Sequence, residues 1–400
     1  MECIKNFLDD AYQYKLRLLA QSRSERYEET IENYKKIFLA HLELVKKECV
    51  EECLLDDVCM ELRRVVDSIN TQEIEDFFEC LKTIYLCWID SKTNDAICLF
   101  TELLKNNDLL KFERKIGDFD IYFKGRVSEQ VLTSWDMFHI PFNKRYLIQN
   151  QRYSLTGQPM LYIGSSVIDI VEEIEAKGVE NLKISVVTFL DKNMKIYDLR
   201  SNVSETLDSI WIDKFLGFPI EYSKASFFKM ILSSVCSFQK RQELKGFSFC
   251  EEYVLPQLLA QVLKNENYDG IAYYSTKHYK NVTYSDNSEV NMAFKENMAI
   301  FTNLNMEHVY DRELYEKMFI SVPIDMRKIY FVSMEDLQEI VKEINQSEKQ
   351  EKITCAEKIL SAFERIYGKM LIYDKNYAET EYGKLHMYEI YTVLNQILID

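Results

Sequence analysis

Residues 152–173 read RYSLTGQPMLYIGSSVIDIVEE. Gly157 and Pro159 interrupt this stretch and imply a tight turn joining two extended segments. Leu161 to Ile163 is apolar and short enough for a strand, and Ser165 or Ser166 is placed to cap a helix carrying Glu172 and Glu173. Strand, turn, strand and helix in that order bring Arg152, Tyr162 and Glu173 to one mouth. Adjacent helical positions point about 100° apart, so only one of the two glutamates can serve; the spacing selects Glu173.

Working outward, residues 113–302 carry the strand signals. Ile116 to Phe123 alternates. Leu182 to Leu190 and Lys195 to Leu199 flank Asp191-Lys-Asn193 as a hairpin, Ile271 to Tyr274 follows the turn pair Asp269-Gly270, and Ala299 to Phe301 is a further short strand. Helical patterns over Leu207 to Leu216 and Glu251 to Leu263 lie between them, so this segment is expected to be a mixed α+β domain. Residues 1–112 read as helices instead. After the S-x-x-E pattern Ser22 to Glu25, Tyr27, Ile31, Tyr34, Phe38, Leu42 and Val45 recur at intervals of three and four. Residues 303–400 return to helical periodicity, with Ser333 to Asp336 opening one run, Ile353 to Leu371 forming another and Tyr382 to Ile399 a third. The fold class expected is α+β, flanked by all-α N- and C-terminal regions.

Composition sets limits on function. The chain has 400 residues, 47% hydrophobic and 28% charged, which excludes wholesale disorder. Its 49 Lys and Arg against 65 Asp and Glu leave −16, a poor balance for general nucleic-acid or anionic-membrane binding. No basic–apolar leader and no run of about 18 apolar residues is visible, so a cytoplasmic protein without membrane contact is expected. Of ten cysteines, Cys49, Cys53 and Cys59 come nearest to a cluster, and their spacing fits a buried helix face better than a zinc site. No metal is expected. His41 and His139 sit in apolar contexts and read as structural. Gly164-Ser-Ser166 lacks the glycine of a hydrolase elbow, and the absence of G-x-G-x-x-G argues against a Rossmann mode for a dinucleotide.

Between Tyr122 and Tyr153 the charges are Lys124, Arg126, Lys144, Arg145 and Arg152 against Glu129 and Asp136, a local excess of +3. A guanidinium fork matches phosphate oxygens, so a small anionic ligand is one reading and pairing with surplus surface carboxylates the other. The spacing of the opening stretch decides between them, because it resembles the RES family. Arg152-Tyr153-Ser154, Gly157, Pro159, Tyr162 and Glu173 stand at that family's intervals. The serine counterpart closes Tyr268-Asp-Gly-Ile-Ala-Tyr-Tyr-Ser275, and Asn291-Met-Ala-Phe294 is similar to the asparagine-bearing segment beyond it. Glu252 to Leu259 and Phe138 to Phe142 resemble segments of a longer subgroup. Arg126 is the first candidate for a preceding arginine and Arg145 the second. The resemblance covers about residues 118–302.

The resemblance implies an ADP-ribosyltransferase-like fold and an enzyme that consumes NAD+ by hydrolysis or phosphorolysis of the nicotinamide–ribose bond, as a growth-arresting toxin or defence effector. It casts Glu173, Tyr162 and Ser275 as catalytic, and Arg126, Arg152, Tyr153, Arg145 and Asn291 as NAD-binding. Transfer of ADP-ribose to a macromolecule is the alternative, and a non-catalytic helical interaction protein a third reading that the intact Arg–Tyr–Glu–Ser set disfavours. An enzyme that drains NAD+ needs restraint, so an inhibitory or regulatory protein partner, or homo-oligomerisation, is expected of the helical regions.

Overall fold

The computed structural model describes residues 4–48, 57–117, 120–174, 181–201, 221–241, 248–277, 282–284, 295–325, 332–346, 350–372 and 374–399. The chain divides into two compact units, each assembled from separate stretches of sequence. The first comprises Met1–Arg114, Gln149–Gln158 and Tyr197–Ile271; the second comprises Lys115–Ile148, Pro159–Ile196 and Ala272–Asp400. The sequence reading set three consecutive segments, 1–112, 113–302 and 303–400, where the structure interleaves two.

The first unit is helical. It contains α1 (Ile4–Leu8), α2 (Asp10–Ser22), α3 (Tyr27–Glu48), α4 (Asp57–Asp67), α5 (Thr71–Ile89) and α6 (Thr93–Asn106), then the helices Glu221–Cys236 and Val254–Asn265. The α3 stripe Tyr27, Ile31, Tyr34, Phe38, Leu42 and Val45 is buried throughout. The pattern Ser22 to Glu25 does not cap α3. Ser22 closes α2 by bonding the Leu19 carbonyl, and the Glu29 carboxylate accepts the N–H groups of Glu25 and Arg26 instead. Aromatic contacts tie the later helices to the N-terminal ones: Phe38 meets Phe227 at 5.9 Å and Phe77 meets Phe228 at 4.9 Å between centroids. Residues 1–112 therefore share a core with residues 221–265. Leu207 to Leu216 lies outside the described residues.

The strands, in chain order, are β1 (Glu113–Arg114), β2 (Ile121–Val127), β3 (Met160–Gly164), β4 (Leu182–Phe189), β5 (Ile196–Asp198), β6 (Gly270–Tyr274), β7 (Val282–Tyr284), β8 (Glu296–Phe301), β9 (Met318–Ile320), β10 (Ile324–Asp325), β11 (Met370–Ile372) and β12 (Lys375–Asn376). In the second unit the Ala272–Tyr274 end of β6 flanks β8, and the order continues through β3, β2 and β4 to β10, with β9 also on β4. β3 pairs with β8 along its whole length and β2 with β4 over seven residues, both antiparallel. β2 and β3, by contrast, share the single registered pair Phe123 and Gly164. The hairpin read from Asp191-Lys-Asn193 does not form. β4 pairs with β2, β9 and β10, because the earlier strand β2 and the later strands β9 and β10 supply the partners for its two-sided burial.

Strand alternation gives this sheet two distinct faces. One carries Tyr122, Leu161, Ile163, Val187, Met298 and Ile300 in a core with Phe138 and with Met137 of the short helix α7 (Ser134–Met137). The other carries Phe123, Ile184 and Val186 against α8 (Val167–Glu173), through Val167, Ile170 and Val171. Leu385, from the helix Glu381–Ile399, completes that second core. The C-terminal region is thus helical over Met334–Asn345, Gln350–Tyr367 and Glu381–Ile399 but not all-α. It supplies β9 to β12, and β11 joins β12 and β7 in a three-stranded sheet. The apolar triplet Met370-Leu-Ile372 continued the helical period of the preceding run, which hid the strand.

Candidate functional site

Glu173 is the last residue of α8, a seven-residue helix. Such a short helix is held by tertiary packing, not by propensity. Ser166 caps it, its hydroxyl accepting the Asp169 N–H, and five of the seven residues are buried. The helix approaches β2 and β3 closely because both present glycine beneath it. A Cβ on Gly125 would stand 2.3 Å from Ile170 Cγ2, and one on Gly164 would stand 2.6 Å from Asn297 Oδ1 and 3.0 Å from Ile170 Cδ1.

At the end of α8 three side chains converge. The Ser275 hydroxyl donates to Glu173 Oε1 at 2.6 Å, and Asn297 Nδ2 donates to the same oxygen at 3.1 Å. Both donors are buried while Glu173 is exposed. Ser275 Oγ also accepts the Lys277 N–H, which leaves its proton directed at the carboxylate. Backbone pairing fixes the donors: the Ser275 N–H bonds the Lys295 carbonyl, and Asn297 sits opposite Gly164 in the β3–β8 register. A carboxylate at the negative end of a helix dipole gains nothing from the helix. Its two convergent donors are what position it. They occupy one oxygen and leave Oε2 for a ligand.

Tyr162 stands two residues before Gly164 on the same sheet face as Asn297, half-buried, with its hydroxyl 3.9 Å from Met160 Sδ. Glu172 is exposed and makes no such convergence. Asn291 lies outside the described residues, and the asparagine that meets Glu173 is Asn297, six positions on. A polar residue opening the apolar strand Met298–Phe301 is a signal for it, but only the register against Gly164 gives it meaning.

The basic residues lie on different elements. Arg126 is on β2 with the parity of Tyr122 and Lys124, so it faces away from α8 and from Glu173. Arg145 lies on the 3₁₀ turn Phe142–Leu147, exposed, 3.4 Å from the Phe142 carbonyl. Arg152 and Tyr153 belong to the first unit. Arg152 Nη1 donates to the carbonyls of Cys236 and Phe238 at 2.8 and 3.0 Å, and its guanidinium lies over the Tyr253 ring. Gln257 Nε2 reaches Asn150 Oδ1 and the carbonyls of Gln151 and Ser154, while Tyr153 is buried, so this loop is tied down from two sides. Gly157 takes φ +82° in the turn closed by Gln158 N–H on the Leu155 carbonyl.

His139 is structural. Its Nε2 accepts the Asp311 N–H at 3.0 Å, which places the ring proton on Nδ1 facing the Ile140 carbonyl, and burial lowers its pKa. Among the described residues no His, Cys, Asp and Glu group has the shape of a metal site, and no helix is long and apolar enough to cross a membrane. Cys49 and Cys53 lie outside the described residues.

Comparison with known proteins gives one relevant likeness. The chain is 31% identical over 237 residues to a Bacillus subtilis (strain 168) protein named "Putative toxin YopC", covering 54% of this chain and 51% of that one. It therefore spans about half the length of that relative. No protein-family profile matches the chain, and no solved structure matches it. What is established is an α+β chain with helical termini that is similar, over half its length, to a protein named as a toxin.

Proposed function

We propose that this chain is an NAD+-consuming enzyme that cleaves the nicotinamide–ribose bond and acts as a growth-arresting toxin. The observation that carries the reading is the Glu173 carboxylate, exposed at a helix end and held through Oε1 by the buried donors Ser275 and Asn297. The likeness to a protein named as a toxin supports the physiological half.

The chemistry follows from that arrangement. Breaking the bond between ribose C1′ and nicotinamide N1 sends the electron pair out with nicotinamide and leaves an oxocarbenium-like ribose. A carboxylate facing that ring stabilises the positive charge, and its open oxygen accepts a hydrogen bond from a ribose hydroxyl. Ser275 and Asn297 keep the carboxylate in place, so little reorganisation is needed as charge develops. In this reading Tyr162, on the same face, packs against the nicotinamide or a ribose. Water adds to C1′ and loses a proton to give ADP-ribose; inorganic phosphate adding there gives the 1-phosphate instead.

The test is NAD+ loss by purified full-length protein beside Glu173→Gln, with nicotinamide, ADP-ribose and its phosphate resolved. The variant is expected to lose about 10²- to 10³-fold in rate. Equal consumption by both proteins would remove Glu173 from the chemistry. Release of nicotinamide without free ADP-ribose, with label retained on a macromolecule, would turn the reading to transfer.

A further inference from the structure

The face of β2 that points away from α8 holds a second cluster. We propose that Lys124 and Arg126 form a phosphate-binding site on the sheet face opposite Glu173, where β2 and β3 part. The inference does not depend on the proposed reaction.

Three observations carry it. The first is the parting itself. Beyond the pair Phe123 and Gly164 the two strands make no further registered pair, and Lys124 Nζ donates to the Tyr162 carbonyl at 2.9 Å where a ladder bond would otherwise fall. The amine therefore sits in the opening between two neighbouring strands of the sheet. The second is charge. Lys124 and Arg126 share one face, and Lys183 on β4 is registered directly opposite Arg126. Like charges facing each other across a strand pair cost stability. The third is the missing counter-charge. In a chain with 65 carboxylates, neither Lys124 nor Arg126 forms an ion pair among the described residues, although both are half-buried.

Glu296, the buried carboxylate that shares this face through Tyr122, accepts the Tyr122 hydroxyl on Oε1. Asp136 feels the field of Arg126, but its Oδ2 is committed to the Thr133 N–H and hydroxyl in a helix cap. Tyr310 and His139 lie in the fields of Arg126 and Lys124 and are neutral near pH 7, with Tyr310 raised and His139 lowered by burial. Ser185 is registered opposite Lys124. Burial, reinforced by Arg126, holds the Lys124 pKa down to about 8. A half-buried amine and guanidinium with no anion between them are arranged for one to arrive. A phosphate fits, since the guanidinium fork and the ammonium offer it several N–H donors.

The experiment is calorimetric titration of the full chain with inorganic phosphate and with pyrophosphate near pH 8, in buffers of differing ionisation enthalpy. An arriving anion favours the charged lysine, so binding with net proton uptake is expected. Lys124→Met and Arg126→Gln should each weaken binding by about tenfold or more, and Lys124→Met should also abolish the proton uptake. Glu173→Gln should change neither. Because Lys124→Met removes a half-buried charge, its thermal melt should not fall, which separates lost binding from lost folding. Absence of binding by either probe, or binding that both substitutions leave unchanged, overturns the site. Displacement of pyrophosphate by ADP-ribose would assign the phosphate to a nucleotide; failure to displace it would assign it to a separate small molecule. In either case the site stands.

Discussion

Two glutamates of the second unit occupy opposite environments. Glu389, midway along the helix Glu381–Ile399, is wholly buried, and among the described residues neither of its carboxyl oxygens has a hydrogen-bond partner. Burial pushes its pKa up to about 8. Glu173 is exposed, and two buried donors converge on one of its oxygens. A strongly shifted acid is often a pointer to an active site. Here the shifted acid stands one turn from Leu385 and Val393, in the layer packed on α8 and β2, and is fully buried. Convergent donors at an exposed helix end, not burial, distinguish Glu173 from Glu389.

The sharpest way to break this comparison is to neutralise each acid in turn. Glu389 keeps its proton in the folded protein up to about pH 8, whereas an unfolded glutamate releases its proton near 4.5. Between those values the unfolded chain binds fewer protons, so stability falls as pH rises, by about 1.4 kcal/mol per unit and a few kcal/mol in all. Glu389→Gln should flatten that slope and raise the melting temperature at pH 8 while leaving NAD+ consumption unchanged. Glu173→Gln should do the reverse. A melt of Glu389→Gln that follows the wild type from pH 5 to 8 would show the acid to be solvated. The buried His386 beside it gives the acid side of the same profile. Its pKa is lowered to about 3, so stability drops as pH falls below about 6.5.

A smaller effect tests the packing that sets Glu173 apart. In Gly164→Ala the new methyl would press on Asn297 Oδ1, Asp169 Oδ2 and Ile170 Cδ1, all at 3.0 Å or less. Overpacking of this kind costs about 1–3 kcal/mol, and the atom nearest the methyl belongs to a donor of the carboxylate. Activity should fall with stability, while the pH slope set by Glu389 stays. Full activity with a normal melt would mean that Asn297 can shift without consequence.

What was legible in the sequence divides along the same line. The turn at Gly157, a cap at Ser165 or Ser166 and the strand Leu161–Ile163 all follow from spacing within 22 consecutive residues. The α3 stripe and the Ser333–Asp336 capping box are equally local. Features that need a distant partner were not visible. Asn297 acquires its role through register with Gly164, 133 positions earlier. The split between β2 and β3 depends on which strands pair, and β4 took partners other than the one offered by Asp191-Lys-Asn193. Arg126 had a signal that could have been used. Gly125 and Arg126 must face opposite ways on a strand, and glycine is the residue that lets α8 approach. Residues 1–112 and 303–400 looked like additions because amphipathic helices announce a buried face but not what covers it. The covering elements prove to be Glu221–Cys236 and Val254–Asn265 for the first, and α8 for the second.

The smallest expected effect concerns the two donors themselves. Ser275 and Asn297 share Glu173 Oε1, so removing either leaves the other in place. A hydrogen bond to a charged group contributes about 1.5–3 kcal/mol, and the surviving donor retains most of the orientation. Ser275→Ala or Asn297→Ala alone should therefore lower the rate by about tenfold, well short of the loss in Glu173→Gln. The double variant should lose more than the product of the two single effects, because the carboxylate is then free to rotate away from the ribose. Kinetics on the four proteins of this cycle give the coupling directly. Strictly multiplicative losses would mean that each donor acts on the substrate separately instead of through Glu173, and the pair would then be ligand-binding groups, not the frame of a carboxylate.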